Sequence, residues 1–165
     1  MKIGSQVVSF HRAKTYDSWV TFKPELDRVV DALFSIVPEL TITRLDLRYM
    51  NALNSTLYGI TSMEDLDFSL KIASEFISGG SNVNYKRSAS SDVELMVRMA
   101  TPDFVQGVVP ENATVFVDID CFTGSGFAAK NATDVKSWVE RSHDIEKDEF
   151  FHLLKQSTID SLKEF

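Results

Sequence analysis

The segment TITRLDLRYM, residues 41–50, alternates between apolar and charged side chains over its second half. Its apolar positions are Leu45, Leu47 and Tyr49, and its charged positions are Arg44, Asp46 and Arg48. Because successive side chains of a β-strand point to opposite faces, this spacing predicts a strand with one apolar side and one fully charged side. The segment therefore raises the question of what the charged row contacts.

The segment TVFVDIDCF, residues 114–122, has the same pattern and is the strongest strand prediction in the chain. One face carries Val115, Val117, Ile119 and Cys121, and the other carries Phe116, Asp118, Asp120 and Phe122. If the two strands are neighbours, Arg44 and Arg48 can meet Asp118 and Asp120 across the sheet. Such opposed charges contribute roughly 0.2–1 kcal/mol each, and a guanidinium fits a carboxylate with two hydrogen bonds. The row is either a structural salt-bridge ladder or the lining of a groove that binds an anion or a cation.

The first half of the chain predicts a strand, a helix and a second strand. A strand is predicted over residues 3–10, and the strand with the charged face over residues 41–52. Asp17 or Ser18 is expected to cap a short turn. Pro24 then fits the first turn of a helix, where its missing N–H costs nothing. Apolar residues at helical spacing follow, and Pro38 ends this helix.

The second half predicts a shorter helix, more strands and a long final helix. A capping box of Ser62 and Asp65 predicts a helix over residues 63–77, and residues 83–100 predict one or two strands. From Thr133 a helical pattern runs almost to the end of the chain. Short connections between the later strands predict antiparallel pairing. The fold class is therefore α+β: one domain, residues 1–165, forming a two-layer sandwich with a mainly antiparallel sheet and helices on one face.

Composition limits the classes of protein that the chain can belong to. The 165 residues are 44% hydrophobic and carry a net charge of −7, which argues against disorder and disfavours nucleic acid as a partner. The single cysteine, Cys121, excludes an internal disulfide and a cysteine-based zinc site. The sequence shows no signal peptide and no apolar run of membrane-spanning length, so we predict a cytoplasmic protein without a membrane partner.

Three motifs in order along the chain resemble a known family. They are RLDLRYMN at residues 44–51, VDID at residues 117–120, and His143 with Ile145 and Phe150 on the final helix; Tyr16 and Trp19 add a Tyr-x-x-Trp feature. Together they resemble the sporadically distributed TIGRFAM family of uncharacterised prokaryotic proteins. Members of that family begin with an additional strand-containing segment that this sequence lacks. A missing strand leaves a sheet edge open, which favours a homodimer or a protein partner.

Two functions are compatible with these residues. The patchy distribution of the family implies a role in prokaryotic conflict, so the first hypothesis is a non-catalytic protein that masks or inhibits a partner in a phage, plasmid or defence system. The alternative is a protein that binds or processes a small anion or nucleotide in a groove. The residues assigned to a ladder or groove are Arg44, Asp46, Arg48, Asp118 and Asp120, with Tyr49, Asn51 and His143 as further candidates. No catalytic residue or cofactor is assigned, because the sequence shows no complete catalytic constellation. No metal is assigned, because Arg44 and Arg48 are available as counterions for Asp118 and Asp120. His143 is expected to pack against the sheet or the first helix, with general acid–base work as its alternative.

Overall fold

A computed structural model of the protein describes residues 1–12, 18–76, 80–106 and 110–162. The chain is an α+β protein and forms two compact units. The first unit contains residues 1–43 and 128–138, and the second contains residues 44–127 and 139–165. The candidate residues on strands belong to the second unit.

The first unit begins with a hairpin of two short strands, β1 (Lys2–Ile3) and β2 (Val8–Ser9). Its turn is closed by a 2.8 Å hydrogen bond from the N–H of Gly4 to the carbonyl of Val7. The prediction of one continuous strand over residues 3–10 is therefore wrong. Gly4 and Ser5 are turn-forming residues in the middle of that segment, and they reverse the chain.

Helix α1 spans Trp19–Ile36 and starts earlier than the proline suggests. Ser18 is the N-cap, and its side chain accepts a 3.3 Å hydrogen bond from the N–H of Thr21. Pro24 therefore lies inside the helix and not in its first turn, because Ser18 already caps the helix. Phe22 is buried, with its ring centroid 5.2 Å from that of Phe10. Tyr16 and Asp17 lie outside the described residues.

In its described residues, the second unit contains six strands, two helices of its own and part of a third. Their bounds are β3 (Asp46–Leu53), α2 (Ser55–Tyr58), β4 (Lys71–Ile72), β5 (Glu75–Phe76), β6 (Asn82–Ser88), β7 (Glu94–Ala100), β8 (Val115–Phe122), α3 (Ala132–His152) and α4 (Gln156–Leu162). Four of the strands form one antiparallel sheet in the order β3-β8-β7-β6. Helix α3 begins in the first unit and continues in the second. The predicted strands over 83–100 and 114–122 are confirmed as β6, β7 and β8.

The helix predicted over residues 63–77 is wrong. The capping box of Ser62 and Asp65 is present, but it caps a single turn of 3-10 helix at Met63–Asp65. Leu66 then pairs in extended conformation with Leu154, and β4 and β5 form a hairpin beyond it. Residues Ala73 and Ser74 turn that hairpin with φ angles of 50° and 71°. Tertiary pairing has thus overridden a helical pattern; residue 77 and the expected helix break at Gly79 lie outside the described part of the chain.

The long final helix is confirmed for α3, and it is interrupted before α4. The interruption lies at Leu153–Lys155, where the carbonyl of Leu153 accepts a 2.8 Å hydrogen bond from the N–H of Asp67. Phe165, which the sequence pattern placed at the end of this helix, lies outside the described residues. In the described part of the chain, no helix is long and apolar enough to cross a membrane.

The four-stranded sheet has two distinct faces, as the alternation predicts. The inner face includes Leu47, Tyr49, Asn51, Val83, Tyr85, Arg87, Leu95, Val97, Val117, Ile119 and Cys121. Residues 139–152 of α3 pack on this inner face through hydrogen bonds with four of its residues, Tyr49, Tyr85, Arg87 and Cys121. The outer face carries Arg44, Asp46, Arg48, Met50, Lys86, Glu94, Met96, Arg98, Phe116, Asp118, Asp120 and Phe122.

Candidate functional site

The outer face contains one of the predicted contacts between an arginine and a carboxylate on the neighbouring strand. The register puts Arg48 directly opposite Asp120, but its guanidinium reaches diagonally to Asp118. Nε of Arg48 lies 2.7 Å from Oδ1, and Nη2 lies 2.5 Å from Oδ2, which is a bidentate arrangement. The hydrogen bond to Asp118 raises the pKa of Arg48. This pair ties the edge strand β3 to the central strand β8.

Arg44 does not reach across the sheet. Its guanidinium binds Asp46 two residues along the same chain segment, with Nη2 2.7 Å from Oδ1 and Nε 3.0 Å from Oδ2. The guanidinium carbon also lies 5.2 Å from the ring centroid of Phe122. The hydrogen bond to Asp46 raises the pKa of Arg44. Arg48 and Asp118 therefore pair across the sheet, whereas Arg44 pairs with Asp46 along its own chain segment and not with an aspartate of β8.

Asp120 forms no hydrogen bond with either of these arginines, because Arg48 binds Asp118 and Arg44 binds Asp46. Its Oδ1 is buried, and among the described residues it has no hydrogen-bond partner. Burial raises the pKa of Asp120 to about 6, with a further increase from the negative charge of Asp46 and an opposing effect of Arg48. This acid therefore titrates just below neutral pH, while Asp118 has the guanidinium of Arg48.

The remaining charges of the outer face are also held by neighbours. Lys86 forms a 3.2 Å ion pair with Glu94, and its Nζ lies 5.1 Å from the ring centroid of Phe122. Nη2 of Arg98 donates a 2.7 Å hydrogen bond to the carbonyl of Phe104. Sequence reasoning did not include Lys86, Glu94 and Arg98 in the charged row. The alternation within their strands gives their face, but only the strand order places them beside Asp118 and Asp120.

Apolar side chains lie between these charges. Met50 is 73% exposed and Met96 is 39% exposed, although both belong to regular strands of the sheet. The side chains of Arg44 and Arg48 are 63% and 52% exposed. The outer face is therefore open to solvent, and the described helices do not cover the charged row.

Tyr49, Asn51 and His143 lie on the other side of the sheet. The hydroxyl of Tyr49 is 3.1 Å from Nδ1 of His143, and the amide of Asn51 donates to the carbonyl of Val117 at 3.4 Å. Burial lowers the pKa of His143. The expectation that His143 bonds to the sheet is confirmed, whereas a single groove that joins His143 to the Arg/Asp row is wrong.

Two buried acids on α3 were not predicted. Glu149 accepts hydrogen bonds from the hydroxyl of Tyr85 and from Nη2 of Arg87, the latter at 2.5 Å. Glu146 accepts a 3.3 Å hydrogen bond from the backbone N–H of Cys121. Counting from Val139, the spacing to Ser142, Glu146 and Glu149 continues the buried stripe of the helix, so the helical period contains the signal that would have found them.

Within residues 1–12, 18–76, 80–106 and 110–162, no group of three or more His, Cys, Asp or Glu side chains could hold a metal ion. No protein-family model, curated protein or solved structure matches this chain.

Proposed function

We propose that this chain is a non-catalytic binding protein that docks a partner protein on the outer face of its four-stranded sheet. The observation that carries the proposal is the exposure of Met50, at 73%, in the middle of the regular strand β3, two residues from the ion-paired Arg48 and directly opposite Asp118. Protein interfaces are enriched in Met, Arg and aromatic residues. A sheet face with these side chains offers exposed apolar contacts next to polar ones.

The charges of the outer face favour a protein over a polyanion. Its cations are Arg44, Arg48, Lys86 and Arg98, and its acids are Asp46, Glu94, Asp118 and Asp120. The two signs alternate and balance, so the face does not accumulate the positive charge that phosphate backbones require. A mixed pattern selects a partner by complementary placement of both signs. The resemblance to the sporadically distributed family supports the finer proposal that binding masks or inhibits a partner in prokaryotic conflict.

A small anion is the second candidate, because Arg44 and Lys86 both approach the ring of Phe122, at 5.2 and 5.1 Å. An anion at this position would face two cations across one aromatic ring. It would also have to compete with Asp46 and Glu94, which already bind these cations. This competition makes the partner-protein proposal the better supported of the two.

The test compares two exposed apolar residues that lie in different units. Met50→Lys changes the outer face at strand β3, and Val20→Lys changes α1, where Val20 is 80% exposed. Tagged wild-type protein and both variants are used to capture proteins and small molecules from the lysate of the native host. We expect to capture one stoichiometric protein with both the wild type and the Val20 variant. Met50→Lys is expected to weaken the affinity for this protein at least tenfold, which is roughly the effect of losing one interface hot spot.

Purified partner then allows the dissociation constants to be measured directly. Equal binding by the Met50 variant would overturn the outer face as the docking surface. A nucleotide or other anion that co-purifies and is lost in Arg44→Ala would instead favour the second candidate. Circular dichroism of each variant checks that the fold is retained.

A further inference from the structure

The side chain of Glu146 lies between α3 and the central strand β8, and it is 2% exposed. One carboxyl oxygen, Oε1, accepts the 3.3 Å hydrogen bond from the N–H of Cys121. The other, Oε2, is buried and has no hydrogen-bond partner among the described residues. A carboxylate in such a position lacks the compensation that a buried negative charge needs.

The groups around Glu146 add no counterion. On β8, Asp118 and Asp120 carry negative charge that acts on Glu146, and the thiol of Cys121 is buried. On β6, Arg87 and Tyr85 are bonded to Glu149, one turn further along α3. On β3, Tyr49 is bonded to His143, one turn earlier. Burial and the two aspartates therefore favour the neutral acid, and burial raises the pKa of Glu146 to about 10.

We propose that a proton held by Glu146 is required for residues 139–152 of α3 to pack on the inner face, so that this packing weakens as the pH rises. In the unfolded chain the glutamate ionises at its ordinary value of 4.5. The folded protein therefore binds one more proton than the unfolded chain between pH 4.5 and about 10. Stability from this group is complete below pH 4.5 and is lost progressively as the pH rises through that window.

The test measures the unfolding equilibrium by chemical denaturation at pH 7.0 and pH 8.5 for the wild type and Glu146→Gln. Asp120, with a pKa of about 6, and His143, whose pKa is lowered from 6.5, titrate mainly below this interval. The thiol of Cys121 has its ordinary value at 9.0, above the interval. We expect the folding equilibrium constant of the wild type to fall by roughly thirtyfold over the interval. The glutamine variant, which cannot ionise, is expected to be nearly constant and to be the more stable protein at pH 8.5.

Glu149→Gln is the matched control, because it changes a second buried acid of α3 that has its own cation. This control is expected to retain the pH slope of the wild type. Parallel slopes for the wild type and Glu146→Gln would overturn the proposal.

If Glu146→Gln does not fold, infrared spectroscopy of wild-type protein containing carbon-13-labelled glutamate tests the same point. We expect a band from a protonated glutamate carboxyl group at pH 7, and its absence would overturn the proposal. Neither readout depends on a partner protein. This proposal can therefore fail while the proposed function stands, and the proposed function can fail while this proposal stands.

Discussion

On the outer face, Asp118 binds the guanidinium of Arg48 through both of its carboxyl oxygens. Against the inner face, Glu149 of α3 binds Tyr85 through one oxygen and Arg87 through the other. Asp120 lies two residues from Asp118 on β8, and Glu146 lies three residues from Glu149 on α3. Each has one buried carboxyl oxygen without a hydrogen-bond partner among the described residues. The pKa of Asp120 rises to about 6, whereas that of Glu146 rises to about 10. Asp120 lies on the open outer face near Arg48. Glu146 belongs to α3, and its side chain is buried between this helix and strand β8. Depth of burial and access to a cation therefore decide the charge state of these acids.

The largest expected effect tests whether the inner acids stabilise the protein when they are paired. Glu149→Gln removes the charge that Arg87 and Tyr85 contact, in a side chain that is 9% exposed. Because charged hydrogen bonds contribute about 1.5–3 kcal/mol each, we expect the free energy of unfolding to fall by about 2 kcal/mol in chemical denaturation. The matched change Glu94→Gln on the outer face, where the partner is Lys86, is expected to cause a clearly smaller loss. Equal losses would remove the distinction between the faces.

A smaller effect concerns the unpaired acid of the outer face. Since the folded-state pKa of Asp120 is raised from 3.8 to about 6, stability from this group is present below pH 3.8 and is lost as the pH rises to 6. Asp120→Asn is expected to remove this fall and to stabilise the protein above pH 7 by about 1 kcal/mol, after allowance for solvent screening. Thermal unfolding between pH 4 and pH 7.5 measures the difference. Asp148→Asn, on an exposed position of α3, controls for the loss of one charge.

The smallest effect identifies which arginine pairs across the sheet. A double-mutant cycle with Arg48→Ala and Asp118→Ala is expected to give a coupling energy of about 0.5–1 kcal/mol, since the pair is bidentate but partly exposed. The corresponding cycle with Arg44→Ala and Asp118→Ala is expected to give a value near zero, because Arg44 binds Asp46. A larger coupling in the second cycle would restore the four-residue ladder that the sequence suggested.

The alternation of residues was sufficient to predict which side chains share a face. Leu47 and Ile119 were assigned to one side of the sheet and Arg48 and Asp118 to the other, and the register agrees. The same alternation separates Tyr85 from Lys86. These assignments succeed because the two-residue period of a strand is a property of its local geometry.

The partners of individual charges could not be predicted in the same way. The choice of Arg48 between Asp118 and Asp120 depends on the register and on side-chain reach, and Arg44 has a nearer carboxylate two residues further along the chain, at Asp46. The helix predicted over residues 63–77 failed because pairing of Leu66 with Leu154 depends on a segment that is distant in sequence. Glu146 was not predicted to be buried because a charged residue in a helix is usually exposed, although it lies at helical spacing from the buried residues Val139 and Ser142.

The pairing of β3 with β8 has a consequence for synthesis on the ribosome, since 70 residues separate Arg48 from Asp118. At bacterial or eukaryotic elongation rates, the strand that completes the sheet follows β3 out of the exit tunnel after about 4–14 s. During that delay the nascent β3 carries Leu47 and Tyr49 with no sheet to bury them. The alternating Arg44, Asp46 and Arg48 then act as gatekeepers that keep an early, unpaired strand from joining other chains.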